Sequence, residues 1–170
     1  MRTGKKGIDL IKEFESLHDG DLKKIGLQPK MDPVGIWTEG WGRVMRDDKG
    51  KFLKGIHNKE LAEKRATMKT AEEADAALKK DLESFEAFVI RKLKIPVTQD
   101  QFDALVSHTY NTGGSSTLFD LINKKSQKYL IKDWFEKRYI TAQGVKLRGL
   151  VRRRKAESDL YFSSKNTPAI

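Results

Sequence analysis

"FESLHDGDLKKIGLQPKMDPVGIWTEGWGR", residues 14–43, closes one periodic pattern and opens another. Ahead of it Ile8, Leu10, Ile11, Phe14 and Leu17 recur at a helical period, which predicts a first helix over 5–17 with Glu15 near its end. Gly20, Gly26 and Pro29 interrupt that period, so 18–31 reads as a loop. From Gly35 onward bulky and polar residues alternate, and Asp48-Lys49-Gly50 supplies a turn, so 35–55 predicts a small hairpin or meander. Two carboxylates, Glu15 and Asp32, thus stand on either side of a charged loop, one on a helix end and one beside a small sheet.

Beyond this β-rich patch, the only convincing one, the periodicity is helical throughout. The stretch 70–93 begins with Thr70 as a cap, carries Glu72 and Glu73 in its first turn and closes on Arg91 and Lys92, the order a helix dipole favours. Pro96 ends it, Thr98 caps the next helix, and Gly113 with Gly114 stops that one. Residues 115–126, 129–140 and 148–162 supply three shorter helices, and no internal repeat is present. The expected fold class is α+β, mainly α. One domain over 1–170 would comprise a β-containing lobe at 18–68, a connecting helix at 70–94 and a helical lobe at 97–163, with 5–17 packed near the last.

Composition narrows the function classes. Lys and Arg total 34 against 24 Asp and Glu, a net charge of +10 that would concentrate the chain on a polyanion such as nucleic acid, anionic lipid or bacterial wall. Without cysteine there are no disulfides, thiolate metal sites or Cys nucleophiles. His18, His57 and His108 lack metal-ligand spacing, so no metal is expected. The N-terminal apolar residues are spaced rather than continuous, which argues against a signal peptide, and no stretch is long enough to cross a bilayer.

Glu15 and Asp32 have the residue types that glycoside hydrolysis requires: an acid for the leaving oxygen and a carboxylate that activates water or attacks the sugar. "IKEFESL" followed by "DPVGIWTEGWG" resembles the phage-type lysozymes, in which a helix-terminal Glu precedes an Asp, five residues, a Thr and then Gly-x-Gly. Those positions are Glu15, Asp32, Thr38, Gly40 and Gly42. "VTQDQFDALVSHTYNTG" at 97–113 is similar to the family's helix ending in an aromatic-Asn-x-Gly turn, and "GLVRRRKAESDLYF" at 149–162 to its C-terminal Arg-rich helix. Three motifs in order cover nearly the whole chain.

The resemblance implies a lysozyme-like fold and an inverting muramidase that cuts the β-1,4 bond between N-acetylmuramic acid and N-acetylglucosamine in peptidoglycan. It implies Glu15 as general acid, Asp32 acting on the water and Thr38 positioning it, with no metal or organic cofactor. Two departures stand out. Sixteen residues separate Glu15 from Asp32, against about eight in the family, which leaves Asp19 and Asp21 in the inserted region as alternative bases. Arg43 occupies the position after Gly-x-Gly where many relatives carry His, so an ion pair made by that His must be rebuilt or lost.

Each candidate has a plainer reading. Thr38 has β propensity and suits a strand. Trp41 can stack on a sugar ring or pack a sheet, whereas Trp37 reads as core. Tyr110 and Asn111 suit contact with substrate, an amide matching an N-acetyl group, but their place at a helix end also suits capping. Thr117 is either a cleft-edge hydroxyl or the cap of the next helix. Rival functions are a lytic transglycosylase on the same bond, a chitinase-like specificity, and a non-enzymatic cationic membrane-active protein. No nucleic-acid motif is present, so no specific nucleic-acid partner is expected. The expected protein is a monomer held in the host cytoplasm until a separate holin-type pore releases it to the wall.

Overall fold

The computed structural model describes residues 1–163, so the end of the domain expected over 1–170 lies outside the described residues. The chain divides into two compact units: Glu15–Asp81, and a second made of Met1–Phe14 with the chain from Leu82 onward.

In the first unit a three-stranded antiparallel sheet runs in the order β1 (Lys30–Met31), β2 (Trp37–Glu39), β3 (Arg43–Val44). Its register pairs Lys30 with Thr38 and Thr38 with Val44. The meander continues through bridges Ile36–Lys54 and Arg46–Phe52 around a turn closed by Asp47, whose carboxylate accepts from the backbone of Lys49 and Lys51. Strand β1 lies within the stretch read as loop: two residues are too few to show alternation, and pairing with β2 defines them. From Arg43 to Lys54 alternation separates a buried face, where Met45 and Leu53 pack with Trp37 and Ala62, from an exposed one, whereas Trp37, Thr38 and Glu39 of β2 are all buried. Ala62 comes from helix α2 (Lys59–Arg65), which follows a 3-10 turn at Ile56–Asn58 and was not predicted. It has no side-chain N-cap and spans only seven residues, so neither a cap nor a full period marks it.

The first helix, α1, spans Lys5–Glu15, and the long helix α3 spans Ala71–Lys92. Thr70 caps α3 reciprocally: its hydroxyl accepts from Glu73 N while Glu73 accepts from Thr70 N, both at 3.1 Å.

The second unit is helical. Helix α4 (Gln99–Thr112) opens on a Thr98–Gln101 capping box and ends on Gly113, whose φ of 83° is the left-handed cap that glycine adopts freely. It packs on α7 (Arg148–Tyr161), which also packs on α6 (Lys128–Lys137); α6 in turn packs on α5 (Ser116–Asn123). Phe102, Leu105, Leu118, Ile122 and Phe135 are buried in its apolar interior. Two buried acids anchor the start of α1: Asp103 accepts from Gly4 N and Gly7 N, and Glu86 accepts from both N and Oγ of Thr3. A second sheet, β4 (Thr141–Ala142) paired with β5 (Val145–Lys146), corrects the expectation of a single β-rich patch. Gln143 and Gly144 at φ 50° and 76° form its two-residue turn, which suits the twist of a hairpin. Chain reversal at Tyr139, φ 56°, accompanies the end of α6 short of residue 140.

Candidate active site

Glu15 is the last residue of α1. The helix stops there because Ser16 turns left-handed, φ 62°, and His18 N then bonds to the carbonyl of Gly40 at 2.8 Å. The chain next enters the inserted loop, which is closed at its base. Gly20 N donates to Gln28 O at 3.0 Å, and Leu27 N donates to Lys69 O at 2.8 Å. Asp19 accepts from Asp21 N and Gln28 N, and Asp21 accepts from Lys23 N. These two acids therefore shape the loop. Neither lines the cavity of about 590 Å³ into which Glu15, His18, Lys30, Asp32, Thr38 and Gly42 all project surface.

Asp32 holds a tight turn. Its Oδ1 accepts from Val34 N at 3.0 Å and from Ile36 N at 2.8 Å, which fixes the carboxylate's orientation through backbone geometry. That arrangement commits Oδ1 to the turn. Six residues on, Thr38 sits in the central strand β2, 4% exposed, and its hydroxyl donates to the carbonyl of Lys30 at 2.9 Å. Its strand placement and its position in the cavity wall coexist, because β2 carries Thr38 between β1 and β3.

The two glycines of Gly-x-Gly have separate reasons. Gly40, φ 57°, abuts Met68, whose sulfur would lie 2.4 Å from an added Cβ. Gly42, φ 93°, faces the acid itself: a Cβ there would stand 3.1 Å from Glu15 Oε2. Between them Trp41 donates its indole N–H to Asp75 at 2.7 Å. Trp37 is 5% exposed within the core of this unit. Arg43 forms an ion pair with Asp81 through two hydrogen bonds.

The remaining predicted residues belong to the helical unit. Tyr110, in the last turn of α4, stacks edge-on against Phe85 with ring centroids 5.1 Å apart. Asn111 is exposed, and its Oδ1 accepts from Arg154 Nη2 at 2.6 Å. Neither residue caps the helix, since Gly113 does. Thr117 is exposed and lies inside α5; the cap is Ser115, whose hydroxyl accepts from Leu118 N, so the capping role considered for Thr117 is corrected.

The sequence marks His18 only as lacking metal-ligand spacing, yet it is a wall of the cavity. Its Nδ1 lies in hydrogen-bond contact with the Thr38 hydroxyl. Burial holds the imidazole below its ordinary pKa; Lys30 acts in the same sense, while the Glu15 carbonyl and the charges of Glu15 and Asp32 oppose it. The available signal was its spacing, three residues beyond Glu15. Among the described residues no group of three His, Asp or Glu side chains is placed to hold a metal ion.

A sequence model of the phage lysozyme family matches residues 21–157. An endolysin of Acyrthosiphon pisum secondary endosymbiont phage 1 is 28% identical across 96% of this chain and its own full length. An endolysin of Bacillus phage B103 is 29% identical over 98% of this chain, which spans 56% of that relative. Among solved structures, the endolysin from Escherichia coli O157:H7 phage FAHEc1 is 33% identical, with a TM-score of 0.71 and 98% coverage of both chains. A point mutant of P22 lysozyme shares the fold at 24% identity and a TM-score of 0.67, over 95% of this chain and 98% of its own.

Proposed function

This chain belongs to the phage lysozyme family, and on that premise we propose that it is an endolysin: a muramidase hydrolysing the β-1,4 bond between N-acetylmuramic acid and N-acetylglucosamine in peptidoglycan. The observation that carries the proposal is the cavity shared by Glu15, Asp32 and Thr38. Glu15, half-buried on a helix end, gives its proton to the leaving glycosidic oxygen. Asp32 takes a proton from a water on the opposite face of the sugar, and Thr38 helps hold that water. With the nucleophile a water rather than the enzyme, the anomeric centre inverts, the geometry for which carboxyl groups about 6.5–9.5 Å apart leave room.

Trp41, Tyr110, Asn111 and Thr117 are the proposed contacts to the glycan, and the two units are the proposed lobes of one lysozyme domain. Among the described residues no helix is long and apolar enough to cross a membrane. The proposed route is accumulation in the host cytoplasm as a monomer, then release through a separate holin-type pore to the wall, which the +10 charge favours electrostatically.

Mass spectrometry of muropeptides released from purified peptidoglycan tests this reading, using wild type, Glu15→Gln and Asp32→Asn with matched circular dichroism. Reducing-end muramic acid from wild type, lost in both variants, is the expected result. Anhydro products retained by Asp32→Asn would instead identify a transglycosylase acting through Glu15 alone.

A further inference from the structure

The Thr38 hydroxyl has one proton and two acceptor positions. Its proton goes to the Lys30 carbonyl, which can only accept. The contact with His18 Nδ1 must then run the other way, with the ring donating and the hydroxyl accepting. On this reading Nδ1 carries the hydrogen and, in the neutral ring, Nε2 is bare, so the hydrogen bond from the ring to the Glu15 carbonyl, which can only accept, must share the same Nδ1–H. One acceptor position is left on Thr38, in the wall of the cavity that also holds Glu15 and Asp32.

We infer that His18 is a positioning residue for hydrolysis, locking the Thr38 hydroxyl so that its remaining lone pair accepts a hydrogen from the attacking water. The inference rests on the muramidase reading above. A water that gives one hydrogen to Thr38 and the other to Asp32 has both O–H bonds engaged, and its own lone pair is then directed to the anomeric carbon. When the bond forms, that carbon gains the water oxygen, Asp32 takes the proton, and the glycosidic oxygen leaves with the proton of Glu15. Atoms and charge balance without any further reactant. A freely rotating hydroxyl would spend part of its time presenting its own hydrogen to the water, competing with that arrangement. Neutral His18 performs this without setting a second cation beside Lys30, and burial favours the neutral ring.

The test compares His18→Asn, His18→Phe, Thr38→Val and the His18→Phe/Thr38→Val double variant on soluble peptidoglycan strands, with melting curves for each. Asparagine presents an amide N–H about where Nδ1–H stands, whereas phenylalanine fills the space without a donor. The expected result is a kcat loss of about tenfold or more in His18→Phe with KM within about twofold, and recovery to within about threefold of wild type in His18→Asn. Adding His18→Phe to Thr38→Val should cost less than about twofold more, since the ring acts through that hydroxyl. Equal losses in the Asn and Phe variants, or losses that multiply in the double variant, would overturn it.

An inactive Thr38→Val beside a fully active His18→Phe sinks this inference and spares the muramidase reading. A fully active Thr38→Val removes the water-holding role and the inference with it, while Glu15→Gln still decides the muramidase reading on its own. Nitrogen-15 chemical shifts of His18 in the wild-type protein give a readout apart from activity: a bare Nε2 is expected, and a protonated Nε2 with a bare Nδ1 refutes it.

Discussion

Arg43 grips Asp81 with two parallel hydrogen bonds, Nε to Oδ2 at 2.8 Å and Nη2 to Oδ1 at 2.9 Å. Nη2 also donates to the carbonyl of Ala77 at 3.3 Å, so one guanidinium ties strand β3 to α3 by three bonds. The strand it fixes begins directly after Gly-x-Gly, whose Gly42 lies against Glu15. A histidine could make one of these bonds and would titrate near neutrality, whereas a guanidinium stays charged.

Replacing Arg43 by Ala is expected to destabilise the protein by about 1 kcal/mol, because both partners are roughly one-third exposed and solvent screens the pair. Arg43→His should add a pH dependence absent from the wild-type pair. Asp81 would raise the folded pKa of that imidazole above about 6.5, so its stabilisation is complete below that value and is lost as pH rises through the folded pKa. Urea titrations near pH 5 and pH 8 measure this. A wild type and Arg43→His pair with the same difference in stability at both values would refute it.

Gly42→Ala combines two penalties, a left-handed backbone and a Cβ placed 3.1 Å from Glu15 Oε2. Gly50→Ala is its control, at φ 76° with nothing within 4 Å of the added carbon. Each should lose about 1 kcal/mol or more from backbone strain alone. Only Gly42→Ala should also lose peptidoglycan-cleaving activity, by about tenfold or more, through displacement of the acid. Equal activities in two folded variants would show that Glu15 tolerates the intrusion.

Ser115 and Thr117 separate capping from substrate contact. The Ser115 hydroxyl accepts from Leu118 N at 3.2 Å and from the indole N–H of Trp134 at 3.0 Å, at a site 3% exposed. Ser115→Ala should therefore cost about 1–2 kcal/mol in thermal or urea unfolding. Thr117→Ala should change stability by less than about 0.5 kcal/mol and raise KM if its hydroxyl meets the glycan. An unchanged KM would remove Thr117 from the binding surface.

The helix ends were legible because single residue types determine them. Thr70 and Thr98 accept from backbone N–H groups that a helix start leaves over, and Gly113 adopts a conformation that costs other residues energy. The spacing of Asp32 to Thr38 was legible only through the family resemblance; in the structure the Asp32 carboxylate holds the turn that leads into β2. What escaped depends on partners distant in sequence. Strand β1 exists through its pairing with β2, and α2 through Ala62 packing on Trp37, Met45 and Leu53. The Gln143-Gly144 turn carried a local hairpin signal, but its strands are two residues each and exposed on both faces, so no apolar alternation accompanied it. His18 escaped because its hydrogen-bond partner is twenty residues away.

The helical unit should lose stability in acid in two stages. His108, 1% exposed, packs edge-on against Phe135 and Tyr139, and burial, reinforced by Arg154 and Arg153, lowers its pKa to about 3. In the unfolded chain its pKa is about 6.5, so between those values the unfolded state binds the extra proton and stability falls as pH falls. Glu86 acts later. Burial opposes its ionisation, but hydrogen bonds from Thr3 and Arg2 outweigh that and hold its pKa below the ordinary carboxylate value. Its contribution is present above about pH 4.5 and is lost as pH drops through the folded pKa, releasing the start of α1. His108→Phe should accordingly flatten the stability profile from about pH 6.5 downward, whereas Glu86→Gln should lower stability throughout the range above about pH 4.5 and remove slope only below it. Urea unfolding at half-unit pH steps measures both. A His108→Phe profile parallel to wild type between pH 6 and 5 would show that the imidazole does not drive the first stage.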